Sequence, residues 1–220
     1  MIEISTSILN VDEKNAMKIF YDLEVAKTDY YHIDVMDGKF VEKNTSEMMY
    51  SYASSIKQMS NIPLDVHLMV SDVKEYIDKY IPLTPHFITI HYEACKEKKE
   101  VKEILEYIKK NNIMCGLSIK PSTKIEEIYE FMQYISLLLV MTVEPGKGGQ
   151  KLIPKTIEKI RKLKEYTYQN NLDTYIEADG GINLENAILL KEAGVDIMVV
   201  GSFIINSENY KKTIQDLKKY

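Results

Sequence analysis

Short apolar runs alternate along the chain with longer stretches whose apolar residues recur every three or four positions, and the whole pattern repeats about every 25 to 30 residues. The apolar runs predict eight strands, at 2–9, 30–36, 64–69, 87–91, 114–119, 137–143, 175–179 and 197–201. Between them the spacing turns helical, as in Val101, Ile104, Leu105 and Ile108, or Ile157, Ile160 and Leu163. Asp12, Thr45 or Ser46, Ser71 or Asp72, Thr123, Asn183 and Ser207 each stand before such a stretch, where a side-chain oxygen can cap a helix.

Eight strand-then-helix rounds with no Pro-rich or Gly/Ser-rich linker predict one α/β domain over residues 1–220. A closed (β/α)8 barrel, the TIM-barrel architecture, accounts for one helix per strand and leaves no sheet edge unpaired. An open doubly wound sheet is the alternative, and it calls for a glycine-rich turn after the first strand. The residues there are Asn10-Val11-Asp12-Glu13, which disfavours a dinucleotide fold.

Composition narrows the partners. The net charge of −5 gives no basic field for nucleic acid and no polybasic anchor for a membrane. The longest uncharged run, 131–143, is too short to span a bilayer and is interrupted by Gln133, Tyr134 and Ser136. The first residues enter a strand pattern at once, and Cys95 and Cys115 lack metal or disulfide-framework spacing. A cytoplasmic protein with a small-molecule partner is the expectation.

Candidate chemistry gathers at the strand ends, where barrels of this kind place their sites. In an extended strand His32, Asp34 and Met36 share one face while Ile33 and Val35 point the other way. Ser7, His67, His91 and Asp179 lie at the ends of strands one, three, four and seven. His32, Asp34, His67 and Asp179 together offer two imidazoles and two carboxylates, a nitrogen and oxygen set without sulfur that suits a divalent metal such as Zn, Fe, Mn or Co. Each has an ordinary alternative: Asp65 shares a face with His67 and could form a buried ion pair with it, and Glu177 stands two before Asp179. Met36, Met69 and Met141 could roof the same pocket with apolar, polarizable side chains. Three glycine-bearing turns follow strands six, seven and eight, containing Gly146, Gly148 and Gly149, then Gly180 and Gly181, then Gly201 with Ser202. Backbone N–H groups converging there before helix N-termini suit a phosphate.

With these residues in view, the chain resembles the ribulose-phosphate 3-epimerase family over nearly its full length. The matching motifs are Ser5-Thr6-Ser7-Ile8-Leu9, His32-Ile33-Asp34-Val35-Met36-Asp37-Gly38-Lys39-Phe40-Val41, Leu64-Asp65-Val66-His67-Leu68-Met69-Val70, Val143-Glu144-Pro145-Gly146-Lys147-Gly148-Gly149-Gln150 and Ala178-Asp179-Gly180-Gly181-Ile182. The resemblance implies a sugar-phosphate-binding barrel that interconverts D-ribulose 5-phosphate and D-xylulose 5-phosphate with one divalent metal, and a homo-oligomeric assembly. It implies His32, Asp34, His67 and Asp179 as ligands, with Asp34 and Asp179 also as the acid/base pair. It further implies Ser7, His67 and the three methionines at the substrate, the glycine turns at the phosphate, and His91 one layer behind. Two places depart from the family pattern: Glu42-Lys43-Asn44-Thr45 replaces the usual Pro-Asn, and Lys147 stands where an aromatic residue is usual. A related epimerase acting on D-allulose 6-phosphate and a non-catalytic sugar-phosphate-binding barrel are the competing readings.

Overall fold

Each of the eight apolar runs contains a strand in the computed structural model, which describes residues 2–219. The strands are β1 Glu3–Ser7, β2 Tyr30–Met36, β3 Leu64–Met69, β4 Phe87–His91, β5 Met114–Ile119, β6 Leu137–Met141, β7 Tyr175–Asp179 and β8 Ile197–Val200. All neighbours are parallel and follow chain order, and β8 returns to β1 to close the barrel. Three strands, β1, β6 and β8, are shorter than their apolar runs. Ile8, Leu9 and Val143 are apolar because they are buried in the loops beyond the strand ends, not because they belong to the ladder.

The helices are α1 Ala16–Val25, α2 Ser46–Met59, α3 Val73–Tyr80, α4 Lys98–Lys110, α5 Lys155–Gln169, α6 Leu184–Glu192, α7 Ser202–Ile205 and α8 Tyr210–Lys218. The rule of one α-helix per strand fails between β5 and β6, where two 3-10 segments, Ile125–Glu127 and Tyr129–Tyr134, make the connection. Ile125, Ile128 and Phe131 are buried there at a spacing of three. That spacing places them on one side of a helix with three residues per turn. Asn183 caps α6 as expected: its Oδ1 accepts from the Glu185 and Asn186 N–H groups, and Asn186 Oδ1 accepts from Asn183 N–H. Ser207 does not cap α8, because Asn209 does, accepting from Lys212 N–H at 2.9 Å. Thr45 begins α2 without capping it. Its hydroxyl bridges β2 instead, donating to Asp34 O and accepting from Met36 N–H.

The strands present two faces. Outward residues such as Ile4, Ile33, Val35, Val66, Leu68, Ile88 and Ile90 pack against the helices in one large core. Inside the barrel the wall is divided. Tyr30, Phe87, Leu137, Leu139, Met141 and Ile197 make an apolar group. Beside it, on β1, β2, β3 and β7, stand the polar residues Ser5, Ser7, His32, Asp34, Asp65, His67, Glu177 and Asp179. Register brings these polar groups together: Ser7 pairs with His32, His32 with Asp65, and Asp34 with His67, while Asp179 pairs with the apolar Met141.

Candidate active site

The four residues expected as ligands meet at one point. His32 Nε2, Asp34 Oδ1, His67 Nδ1 and Asp179 Oδ2 all lie within 4.8 Å of one another. Asp34 Oδ1 stands 3.4 Å from His32 Nε2 and 3.5 Å from His67 Nδ1, and Asp179 Oδ2 stands 3.6 Å from His67 Nδ1. The two histidines are fully buried, and the ring nitrogens that face the carboxylates make no hydrogen bond. A buried polar atom without a partner is costly. Two imidazole nitrogens and two carboxylate oxygens converging in this way fit a divalent cation.

The far side of each imidazole is anchored. His32 Nδ1 is 2.6 Å from Asp65 Oδ2, which also accepts from Ser5 Oγ at 2.7 Å. The alternative of an Asp65–His67 ion pair is not what forms: Asp65 pairs across strands with His32, because register sets the two side by side. His67 Nε2 is 3.0 Å from His91 Nε2, and His91 Nδ1 is 3.0 Å from Glu93 Oε2. Such partners behind a ligand fix its ring orientation. Asp65, Ser5 and Glu93 were missed by reading the sequence for ligands, although Asp65 was visible by its strand phase with His67.

The charges divide sharply. Burial opposes ionisation of Asp34, but the His32 charge and the imidazoles of His32 and His67 facing its carboxylate outweigh it, holding the carboxyl well below the usual carboxylate range. Burial and the neighbouring Asp34 charge push Asp179 up to about 7. Burial would lower His32, yet Asp65 and Asp34 raise it well above the usual imidazole value, while burial lowers His67. A cationic proton on His32 thus satisfies the same cluster that a metal ion fits. Beneath it Glu177 is held neutral by burial and by Asp65.

Above this cluster opens a cavity of about 910 Å³, lined by Ser7, Asp34, Met36, Met69, Met141 and Asp179 together with Gly146, Gly148, Gly149, Gly180, Gly181, Gly201 and Ser202. His67, expected also at the substrate, is fully buried and forms no part of this wall. Ser7 lines the cavity, but its hydroxyl donates to Asp34 Oδ2 at 2.6 Å, so it also orients the carboxylate. All three methionines line this cavity, Met36 and Met69 packing with Leu9, Phe40 and Val41, and Met141 with the apolar side of the barrel. Gly181 joins the loops after β6 and β7. Its φ is +69°, and a Cβ there would lie 2.4 Å from Leu152 N and 2.7 Å from Gln150 O. Lys147 lines the same cavity. Asn10, which sequence reading passed over, also lines it, its amide against Gly148, where a Cβ would come within 2.7 Å of Asn10 Nδ2.

Fold and site together define a (β/α)8 barrel with a buried two-histidine, two-aspartate centre under a glycine-rimmed cavity. The family model for the ribulose-phosphate 3 epimerase family matches residues 3–205. Ribulose-phosphate 3-epimerase from Helicobacter pylori (strain J99) is 36% identical over 218 residues, covering 99% of this chain and 97% of that protein. The Methanocaldococcus jannaschii ribulose-phosphate 3-epimerase is 36% identical over 219 residues, covering 100% and 91%. Among solved structures, KGPDC from Streptococcus mutans superposes with a TM-score of 0.73 at 12% identity, covering 100% of this chain and 96% of that one, a likeness of fold. The chain belongs to the ribulose-phosphate 3-epimerase family.

Proposed function

We infer that the chain is an isomerase that interconverts D-ribulose 5-phosphate and D-xylulose 5-phosphate by inverting C3. The observation that carries this reading is a pair of carboxylates, Asp34 and Asp179, that face one cavity from separate strands, Asp34 held well below the usual carboxylate range and Asp179 pushed up to about 7. Inversion beside a ketone needs a base on one face of C3 and an acid on the other at the same moment. Ionised Asp34 takes the C3 proton, the substrate becomes a planar enediolate, and protonated Asp179 delivers a proton to the opposite face. In the reverse direction the two exchange roles. β2 and β7 are separated by β1 and β8 around the barrel, which supports approach from two sides.

Ser7 keeps Asp34 oriented for the transfer, with one oxygen bonded and the other facing the histidines. Met36, Met69 and Met141 give the reacting carbons an apolar wall that excludes water and offers no competing proton. The turns at Gly146, Gly148 and Gly149, at Gly180 and Gly181, and at Gly201 and Ser202 hold the substrate phosphate by backbone N–H groups. His32, Asp34, His67 and Asp179 would hold the divalent metal, which supplies Lewis-acid stabilisation of the negative charge that develops on the substrate oxygens. Zn, Fe, Mn and Co all suit this donor set.

A cytoplasmic homo-oligomer completes the reading. The exposed residues Met17, Tyr21 and Val25 lie four apart on α1 and offer one apolar stripe for assembly, which sedimentation would test. Incubation of the metal-loaded protein with D-ribulose 5-phosphate in D₂O tests the activity: xylulose product carrying deuterium at C3 is expected. No product and no exchange would overturn the assignment, and faster turnover of D-allulose 6-phosphate would reassign the substrate.

A further inference from the structure

Two histidines with their Nε2 atoms 3.0 Å apart cannot both present a proton or both present a lone pair there. Two arrangements are open. In one, His67 Nε2–H donates to His91 Nε2, and His67 Nδ1 keeps its lone pair. In the other, His91 Nε2–H donates to His67, whose proton then sits on Nδ1 and points at Asp34 and Asp179.

Glu93 distinguishes them. One of its carboxylate oxygens, Oε1, accepts from Lys120 N–H at 2.8 Å and from the Thr123 hydroxyl, while Oε2 faces His91 Nδ1 at 3.0 Å. An ionised carboxylate is an acceptor only, so His91 must bring its proton to Nδ1, which leaves His91 Nε2 free to accept from His67. The loop that supplies the donors to Glu93 is itself clamped: Lys159 Nζ, from α5, donates to Lys120 O, Pro121 O and Thr123 O at 3.0, 2.9 and 2.7 Å.

We propose that Glu93 is a positioning residue which, acting through His91, sets the tautomer of His67 so that the Nδ1 lone pair faces Asp34 and Asp179. The consequence for metal affinity rests on the reading of His67 as a ligand; the tautomer itself does not. Glu93→Gln makes the chemistry sharp. The amide oxygen keeps Lys120 N–H and the Thr123 hydroxyl, so its NH₂ turns toward His91 Nδ1 and reverses both tautomers. His67 would then carry its proton on the atom that should bind the metal. Glu93→Ala imposes neither direction, so an isosteric change does more harm than truncation, an order that loss of packing does not produce.

The test is the ¹⁵N imidazole shifts of the histidine-labelled, metal-free chain at pH 7.5, followed by titration with cobalt(II). The wild-type chain should show His67 protonated on Nε2 and His91 on Nδ1. In Glu93→Gln both should reverse, with cobalt affinity falling about 10- to 100-fold and further than in Glu93→Ala. A wild-type His67 protonated on Nδ1 refutes the proposal without any variant being made. Unchanged shifts and affinity in Glu93→Gln would refute it as well. Failure of the wild-type chain to bind cobalt would instead overturn the metal reading, while the shifts still decide the tautomer.

Discussion

Asp179→Asn should abolish turnover and yet stabilise the metal-free chain at neutral pH. Asp179 is pushed from its ordinary value of 3.8 up to about 7 by burial and by the Asp34 charge. A carboxyl raised in the folded state favours folding while protonated. That advantage is complete below about pH 4 and is lost as pH rises through about 7. A shift of about three units corresponds to about 4 kcal/mol at 1.36 kcal/mol per unit. The side chain keeps 14% of its surface exposed, and solvent there screens Asp34, so about 2 kcal/mol is the working figure.

Asparagine keeps the shape and never ionises. Against the wild-type chain, both treated with a chelator, the variant should unfold at the same temperature near pH 4 and about 4–8 °C higher at pH 8. Circular dichroism on heating measures this, and the difference between the two proteins cancels titrating groups remote from Asp179; Glu177, which the Asp179 charge helps to raise, adds to it. Metal added at pH 8 should restore the wild type more than the variant, which lacks one of the four proposed ligands. Equal melting temperatures at pH 8, or a gap that persists at pH 4, would refute the account of Asp179 as a carboxyl held in the wrong charge state by its neighbours. On the proposed mechanism such a group is kept for chemistry at a cost in stability.

Asp34→Asn removes the ionised member of the pair, and kcat should fall by about 10²- to 10⁴-fold with KM little changed in steady-state assays. Ser7→Ala deletes the 2.6 Å hydrogen bond to Asp34, which favours the charged form. Its acid limb in the kcat/KM profile should therefore move to higher pH, and an unmoved limb would mean Ser7 does not act through Asp34. Gly181→Ala forces a Cβ against Leu152 N at a left-handed φ and should destabilise the fold by about 1–3 kcal/mol in urea while raising KM for the phosphorylated substrate.

Much of this was legible in the sequence because it follows a strict local period. Alternation along β2 places His32 and Asp34 on one face, and the end of each strand marks where the cavity must lie. Two kinds of information were not local. Register decides that Asp65 holds His32 and not the His67 on its own strand, and nothing within 64–69 states that offset. Spacing of three rather than four at Ile125, Ile128 and Phe131 separated a 3-10 connection from an α-helix, a difference of one residue that an apolar count does not weigh. Glu93 was hidden for a third reason: its partners, Lys120 and Thr123, are 27 and 30 residues away in a loop.

The two imidazoles of the centre are therefore held from different depths. His32 is fixed from beneath by Asp65 and Ser5, groups of the barrel wall that move only if strands move. His67 is fixed from the side through His91 and Glu93 by the loop after β5, which α5 secures through Lys159. A loop has more freedom than a closed sheet. Changes in the β5 loop or in α5 thus reach His67 while leaving His32 in place. The histidine with no strand-borne carboxylate behind its ring is the one whose orientation the periphery of the barrel can adjust.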